Sequence, residues 1–141
     1  MSTTENVAVV GSFWDALGRR DFAGLGALMS ERGHYVDVPV MELDPGAYGP
    51  AETEARVRLG LEPLHAYTLH SGPIVATGDV VMTEHAETWT WEEGVEVRLP
   101  FVSVQEVRAG KVDRWWDYFD LSTLMNAAPA WWVEHIAPGY K

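Results

Sequence analysis

From Val80 to Trp91 the chain alternates with period two, carrying Val81, Thr83, His85, Glu87, Trp89 and Trp91 on odd positions. The even positions carry Val80, Met82, Glu84, Ala86, Thr88 and Thr90. In a strand successive side chains point to opposite faces, so His85 and Glu87 share a face with Val81, Trp89 and Trp91. Each indole removes on the order of 200 Å² from water when buried, which makes this the face that turns inward. An imidazole and a carboxyl are thereby carried inside, where an unpaired charge is costly and a partner is required. The segment Arg114-Trp115-Trp116-Asp117-Tyr118-Phe119-Asp120 repeats the arrangement, with Asp117 alternating between Trp115 and Phe119. Three titratable groups are expected to converge on one apolar pocket.

The remaining chain supplies a frame for those strands. Thr3 or Thr4 caps a first helix in which Val7, Val10, Trp14 and Leu17 recur at helical spacing, and Asp21 caps a second carrying Phe22, Leu25, Leu28 and Met29. His34 to Val40 alternates as a strand with Pro39 at its edge or exit, and Tyr35 and Asp37 share a face of it. Met41 to Gly49 reads as a loop long enough to cover a pocket. Pro50 opens a third helix with Thr53, Val57 and Leu61 inward and Glu52, Glu54, Arg56 and Arg58 toward water. Four extended segments follow, at His65 to Ala76, Val80 to Trp91, Val95 to Arg108 and Val112 to Phe119, separated by short turns that make them an antiparallel meander. Leu121 to Ala128 and Ala130 to Ile136 are short helices on either side of Pro129. Trp131 and Trp132 are expected to cap the mouth of the pocket or a dimer surface.

Composition narrows the function. The 141 residues suit one domain spanning 1–141, and 47% hydrophobic content with seven Trp excludes a disordered chain. There is no Cys, hence no disulfide and no thiolate nucleophile. A formal net charge of −11 opposes phosphate backbones and anionic membranes, so neither nucleic acid nor membrane is an expected partner. The first residues lack the basic start and apolar core of a signal peptide, and a soluble cytoplasmic protein is expected. His65 and His70 are five apart, which neither a strand nor a helix presents as a zinc pair, and no metal is expected.

The order helix, helix, strand, helix, four strands, short helices resembles the nuclear-transport-factor-like, or cystatin-like, α+β cone: a curved antiparallel sheet over N-terminal helices with a deep apolar pocket. Within that superfamily the chain resembles the limonene-1,2-epoxide hydrolase family at Trp116-Asp117-Tyr118-Phe119-Asp120, at Val81 to Glu87 and at Tyr35-Val36-Asp37-Val38-Pro39. In that family one Asp deprotonates a water, a second Asp protonates the epoxide oxygen, an Arg between them holds both, and a Tyr and an Asn orient the water. The resemblance therefore implies Asp117 as base, Glu87 as proton donor, His85 as bridging cation, and Tyr35 and Asp37 as the water-orienting pair. Trp89 and Trp115 are the aromatic contacts for substrate or water. It further implies a cofactor-free enzyme, a small hydrophobic substrate and a homodimer.

Two of these positions depart from the family pattern. A histidine has two ring nitrogens and titrates near neutrality where arginine keeps its charge and planar fork. An ionised Asp at 37 only accepts hydrogen bonds where an amide also donates. With Asp37, Glu87 and Asp117 together and His85 the one cation, at least one carboxyl is expected to be protonated near neutrality. The alternatives are an isomerase or cyclase resembling ketosteroid isomerase or SnoaL-like polyketide cyclases, with Asp37 as base, and a non-catalytic binding or dimerisation module on the same fold.

Overall fold

The computed structural model describes residues 2–140; Met1 and Lys141, the two ends of the expected 1–141 domain, lie outside the described residues. Helix α1 (Thr3–Gly18) is capped by Ser2, whose Oγ accepts from the Glu5 amide at 3.1 Å, one residue before the expected threonines. Asp21 caps α2 (Phe22–Ala27) as expected, accepting from the Gly24 amide at 3.0 Å. Strand β1 (Met29–Asp37) begins earlier than its alternation indicated, and Val38–Val40 leaves it as one 3-10 turn. Pro39 lies inside that turn, where its missing N–H costs no ladder bond. After the short β2 (Ala47–Tyr48), α3 (Gly49–Leu61) buries Thr53, Val57 and Leu61, the face its periodicity marks.

The segment expected as one strand from His65 to Ala76 is two, β3 (Ala66–His70) and β4 (Ile74–Thr77), and both pair with β5 (Val80–Thr90). Ser71-Gly72-Pro73 makes the break, because Pro73 has no amide to donate and Gly72 lies against the Glu84 carbonyl. Strands β6 (Glu96–Arg108) and β7 (Lys111–Phe119) complete the antiparallel run, followed by α4 (Leu121–Ala127) and α5 (Ala130–Ile136). The sheet order is β2-β1-β7-β6-β5-β3, with β1 parallel to β7. The result is a curved, open sheet with helices against its concave face, an α+β cone. No helix of the described residues is long and apolar enough to cross a membrane.

Registry across this sheet places the polar groups. Asp37, Asp117, Ser103 and Thr83 are successive Cα partners along β1, β7, β6 and β5, forming one buried polar row. Trp14 of α1 donates from Nε1 to Thr83 Oγ1 at 3.2 Å, which seats the helix against the end of that row. Around it Val10, Phe13, Leu17, Val81, Leu99 and Trp115 form a core of fully or nearly fully buried side chains.

The break between β3 and β4 is a specific test of this architecture. A Cβ on Gly72 would run into the Glu84 backbone carbonyl, whereas at Gly11, inside α1, a Cβ meets nothing within 4 Å. Gly72→Ala is expected to lower the melting temperature, and Gly11→Ala to raise stability by roughly 0.5–1 kcal/mol. Thermal melts of the two variants check both signs.

Candidate active site

The concave face of the sheet and the helices opposite it enclose a cavity of about 250 Å³. This lies just below the roughly 300–1,000 Å³ of common ligand pockets and suits a small molecule. Strand β1 contributes Tyr35 and Asp37, β5 contributes Glu87 and Trp89, and β7 contributes Trp115, Asp117 and Phe119. The helix side is Leu61, Leu124, Met125, Trp132 and Ile136, with Arg56 and Tyr140 near Asp37. Six of the seven residues picked from the alternating segments thus line one wall. Period two put them there: every one lies on the helix-facing side of its strand.

Each carboxyl is held by neutral donors. Asp117 Oδ1 accepts from Ser103 Oγ at 2.5 Å and from Trp115 Nε1 at 2.7 Å, and among the described residues its Oδ2 has no protein partner. Glu87 accepts a short hydrogen bond from the Tyr67 hydroxyl. Asp37 accepts from Tyr35 Oη at 3.1 Å on Oδ1 and from Tyr140 Oη at 2.8 Å on Oδ2. Among the described residues, none of the three forms an ion pair. The Tyr35 ring stacks on Trp115 at 3.9 Å between centroids, which fixes the direction of its hydroxyl.

His85 occupies a different place from the one expected for a bridging cation. Its ring is stacked on Phe101 at 3.6 Å and meets the edge of Trp14 at 4.6 Å, behind the cavity wall. Its Nε2 lies 3.0 Å from Ser103 Oγ and contacts neither carboxyl. The physical reason is reach: in the sheet His85 is opposite Phe101, one pleat from the row that holds Asp117, and Ser103 fills the space between. With the serine proton given to Asp117, Nε2–H is the donor to Ser103, and a chain His85, Ser103, Asp117 runs from the core to the cavity.

Burial dominates the protonation of all four groups. It raises Glu87 to about 7 against the Tyr67 hydrogen bond, and raises Asp117 well above the carboxylate range, with the nearby Asp37 charge pushing the same way. Asp37 is raised by burial, opposed by the hydroxyls of Tyr140 and Tyr35 and then by Arg56. His85 is lowered by burial to about 4, so it is neutral near pH 7 rather than the cation the arrangement was expected to hold. Desolvation disfavours every charged form here, and the three carboxyls share fewer than three charges at neutrality.

Residues 4–130 match the limonene-1,2-epoxide hydrolase catalytic domain. The chain belongs to the limonene-1,2-epoxide hydrolase family. Of positions 35, 37, 85, 87 and 117, which the resemblance above picks out, the cavity brings four together. Among solved structures, the chain is similar to an LEH-like epoxide hydrolase from M. tuberculosis, at 24% identity and TM-score 0.74, with 96% of this chain and 98% of that one covered. An NTF2-like protein of unknown function from Burkholderia pseudomallei matches at 22% identity and TM-score 0.79, covering 92% and 100%. A putative SnoaL-like polyketide cyclase from Shewanella denitrificans matches at 13% identity and TM-score 0.74, covering 86% and 95%. These likenesses establish the fold. No curated protein matches the chain.

Four residues around these carboxyls carry no signal in the alternating segments. Tyr67 is the cross-strand partner of Trp89 and reaches Glu87 diagonally; Ser103 is the partner of Asp117. Arg56, expected to point to water, has a side chain only 10% exposed, and it pairs at 3.2 Å with a nearly buried Asp44 from the covering loop. Tyr140 comes from the turn after α5. Register between strands would have found Tyr67 and Ser103, but nothing local indicates that register.

The shift at Glu87 makes a stability prediction. Its folded value lies above its ordinary one of 4.5, so the stability it contributes is complete below 4.5 and is lost as pH rises through about 7. The total is on the order of 3 kcal/mol. Glu87→Gln removes this loss, so its melting temperature is expected to gain steadily on the parent between pH 5 and 8. A constant difference over that range refutes a raised Glu87.

Proposed function

We propose that this chain hydrolyses a small hydrophobic epoxide by one-step acid/base catalysis, with Asp117 as base and Glu87 as acid. The observation that carries the reading is that both carboxyls face one small apolar cavity, each held by neutral donors, with Glu87 poised near 7. In the proposed step a water donates a proton to Asp117 Oδ2 while its oxygen bonds to an epoxide carbon. The carbon–oxygen bond breaks and the leaving oxygen takes the Glu87 proton, giving a vicinal diol. Tyr35 and Asp37 lie beside Asp117 on the neighbouring strand and hold the water. Burial and then the Asp37 charge raise the proton affinity of Asp117, which makes it a stronger base in the form of the site whose one proton lies on Glu87. His85 acts through Ser103 as a neutral donor, and the protein's own tyrosine, serine and indole groups do the work that an arginine does in the family pattern.

A second reading has its own support. Asp37 takes two phenolic hydrogen bonds, which favour its anion, and an anion in an apolar cavity suits proton abstraction next to a carbonyl, as in an isomerase or cyclase.

Turnover of a panel of cyclic and aryl epoxides in ¹⁸O-labelled water separates the two. The expected result is labelled diol, lost by at least about a hundredfold in Asp117→Asn and in Glu87→Gln. The step needs one proton on the pair, so the rate is expected to fall both in acid, where Glu87 and Asp117 each hold a proton, and in base, where neither does. Absence of diol from every epoxide, with proton exchange next to a ketone that is lost in Asp37→Asn, would move the assignment to the second reading.

A further inference from the structure

The family match ends at residue 130, yet the chain beyond it reaches the site. Tyr140 donates to Asp37 Oδ2 at 2.8 Å, on the oxygen opposite the one that takes the Tyr35 hydroxyl. Its ring is fixed in place. The Arg56 guanidinium lies 4.1 Å over it and also donates to the Gly139 carbonyl at 2.8 Å and to both oxygens of Asp44 at 3.2 Å. Gly139 packs so closely on α3 that a Cβ there would meet Leu59. One guanidinium therefore ties α3, the covering loop and the last turn together beside Asp37.

The partner of Tyr140 is one of the two positions at which this chain departs from the family pattern. An amide at 37 brings its own N–H₂; a carboxylate has only acceptor sites and is satisfied by donors. Tyr35 alone supplies one. The second comes from a segment outside the family's matched span, and it lands on the free oxygen. Asp37 is also the direct cross-strand partner of Asp117, so a charge on one disfavours a charge on the other.

We propose that Tyr140 is a positioning residue of this active site: its hydroxyl stabilises the Asp37 carboxylate, and through that charge it strengthens the neighbouring Asp117 as a base. The titratable and charged groups facing Asp37 are Tyr35 and Tyr140 as donors, Asp117 and Glu87 across the wall, and the Arg56–Asp44 pair. Removing one hydroxyl changes the first relation and, through it, the second. The proposal rests on Asp37 and Asp117 being the working carboxyls, but its test needs no substrate.

Carboxyl-carbon NMR titrations of the full chain and of Tyr140→Phe, which keeps the ring beneath Arg56, make that test. In the variant the Asp37 midpoint is expected to rise and the Asp117 midpoint to fall. Opposite movements are what a packing role would not produce. In the unmodified protein the Tyr140 Cζ resonance is expected to follow the Asp37 titration, which covers the case of a variant that fails to fold. Unchanged midpoints in a folded variant, or a Cζ resonance flat through the Asp37 midpoint, would overturn the proposal. With an epoxide that is turned over, kcat in Tyr140→Phe is expected to drop on the order of tenfold with KM little changed. Opposed midpoints without diol from any epoxide uphold Tyr140 and remove the hydrolase; diol with unmoved midpoints does the reverse.

Discussion

Three carboxyls enter an apolar cavity from one face of the sheet without a cation among them. Strands in a sheet lie about 4.8 Å apart, so in-register Asp37 and Asp117 are held close by backbone pairing that neither side chain can relax. In water that proximity would matter little; inside a wall of Trp89, Trp115 and Trp132 the Asp37 charge is the largest charge effect on Asp117, after burial itself. Everything around the cavity answers to it. Tyrosine, serine and indole donors satisfy the oxygens without adding charge, and the one nearby guanidinium is committed to Asp44.

The same constraint explains how His85 differs from an arginine. Arginine between two acids would add a permanent positive charge and let both ionise. Here a neutral imidazole behind Ser103 passes on only a hydrogen bond, so the acids remain in competition for protons. A pair of acids with unlike proton occupancy is what push–pull chemistry uses. In the proposed reaction the chain would reach it by withholding charge.

Much of this is legible in the sequence. Alternation marks the inward face because Trp89 and Trp91 share one side of their segment and Trp115 and Phe119 share one side of β7, and it brings Glu87 and Asp117 with them. Tyr35 and Asp37 follow by the same rule on β1. Illegible were the facts set by pairing: β1 running parallel beside β7, Ser103 standing opposite Asp117, and Tyr67 reaching Glu87 from β3. Arg56 was misjudged because helical spacing assigns it to the polar face, while a loop carboxylate draws it under cover. His85 was placed correctly on its face but given a role that its distance from both acids does not allow.

Because neutral groups beneath the surface tune these carboxyls, dissolved ions have little to act on. An exposed ion pair weakens as the Debye length shortens from about 10 Å at 0.1 M ionic strength to about 3 Å at 1 M. A phenol or a serine hydroxyl buried against a carboxylate has no such dependence. The protonation pattern of the cavity therefore follows ionic strength less closely than the chain's outer charge of −11 does.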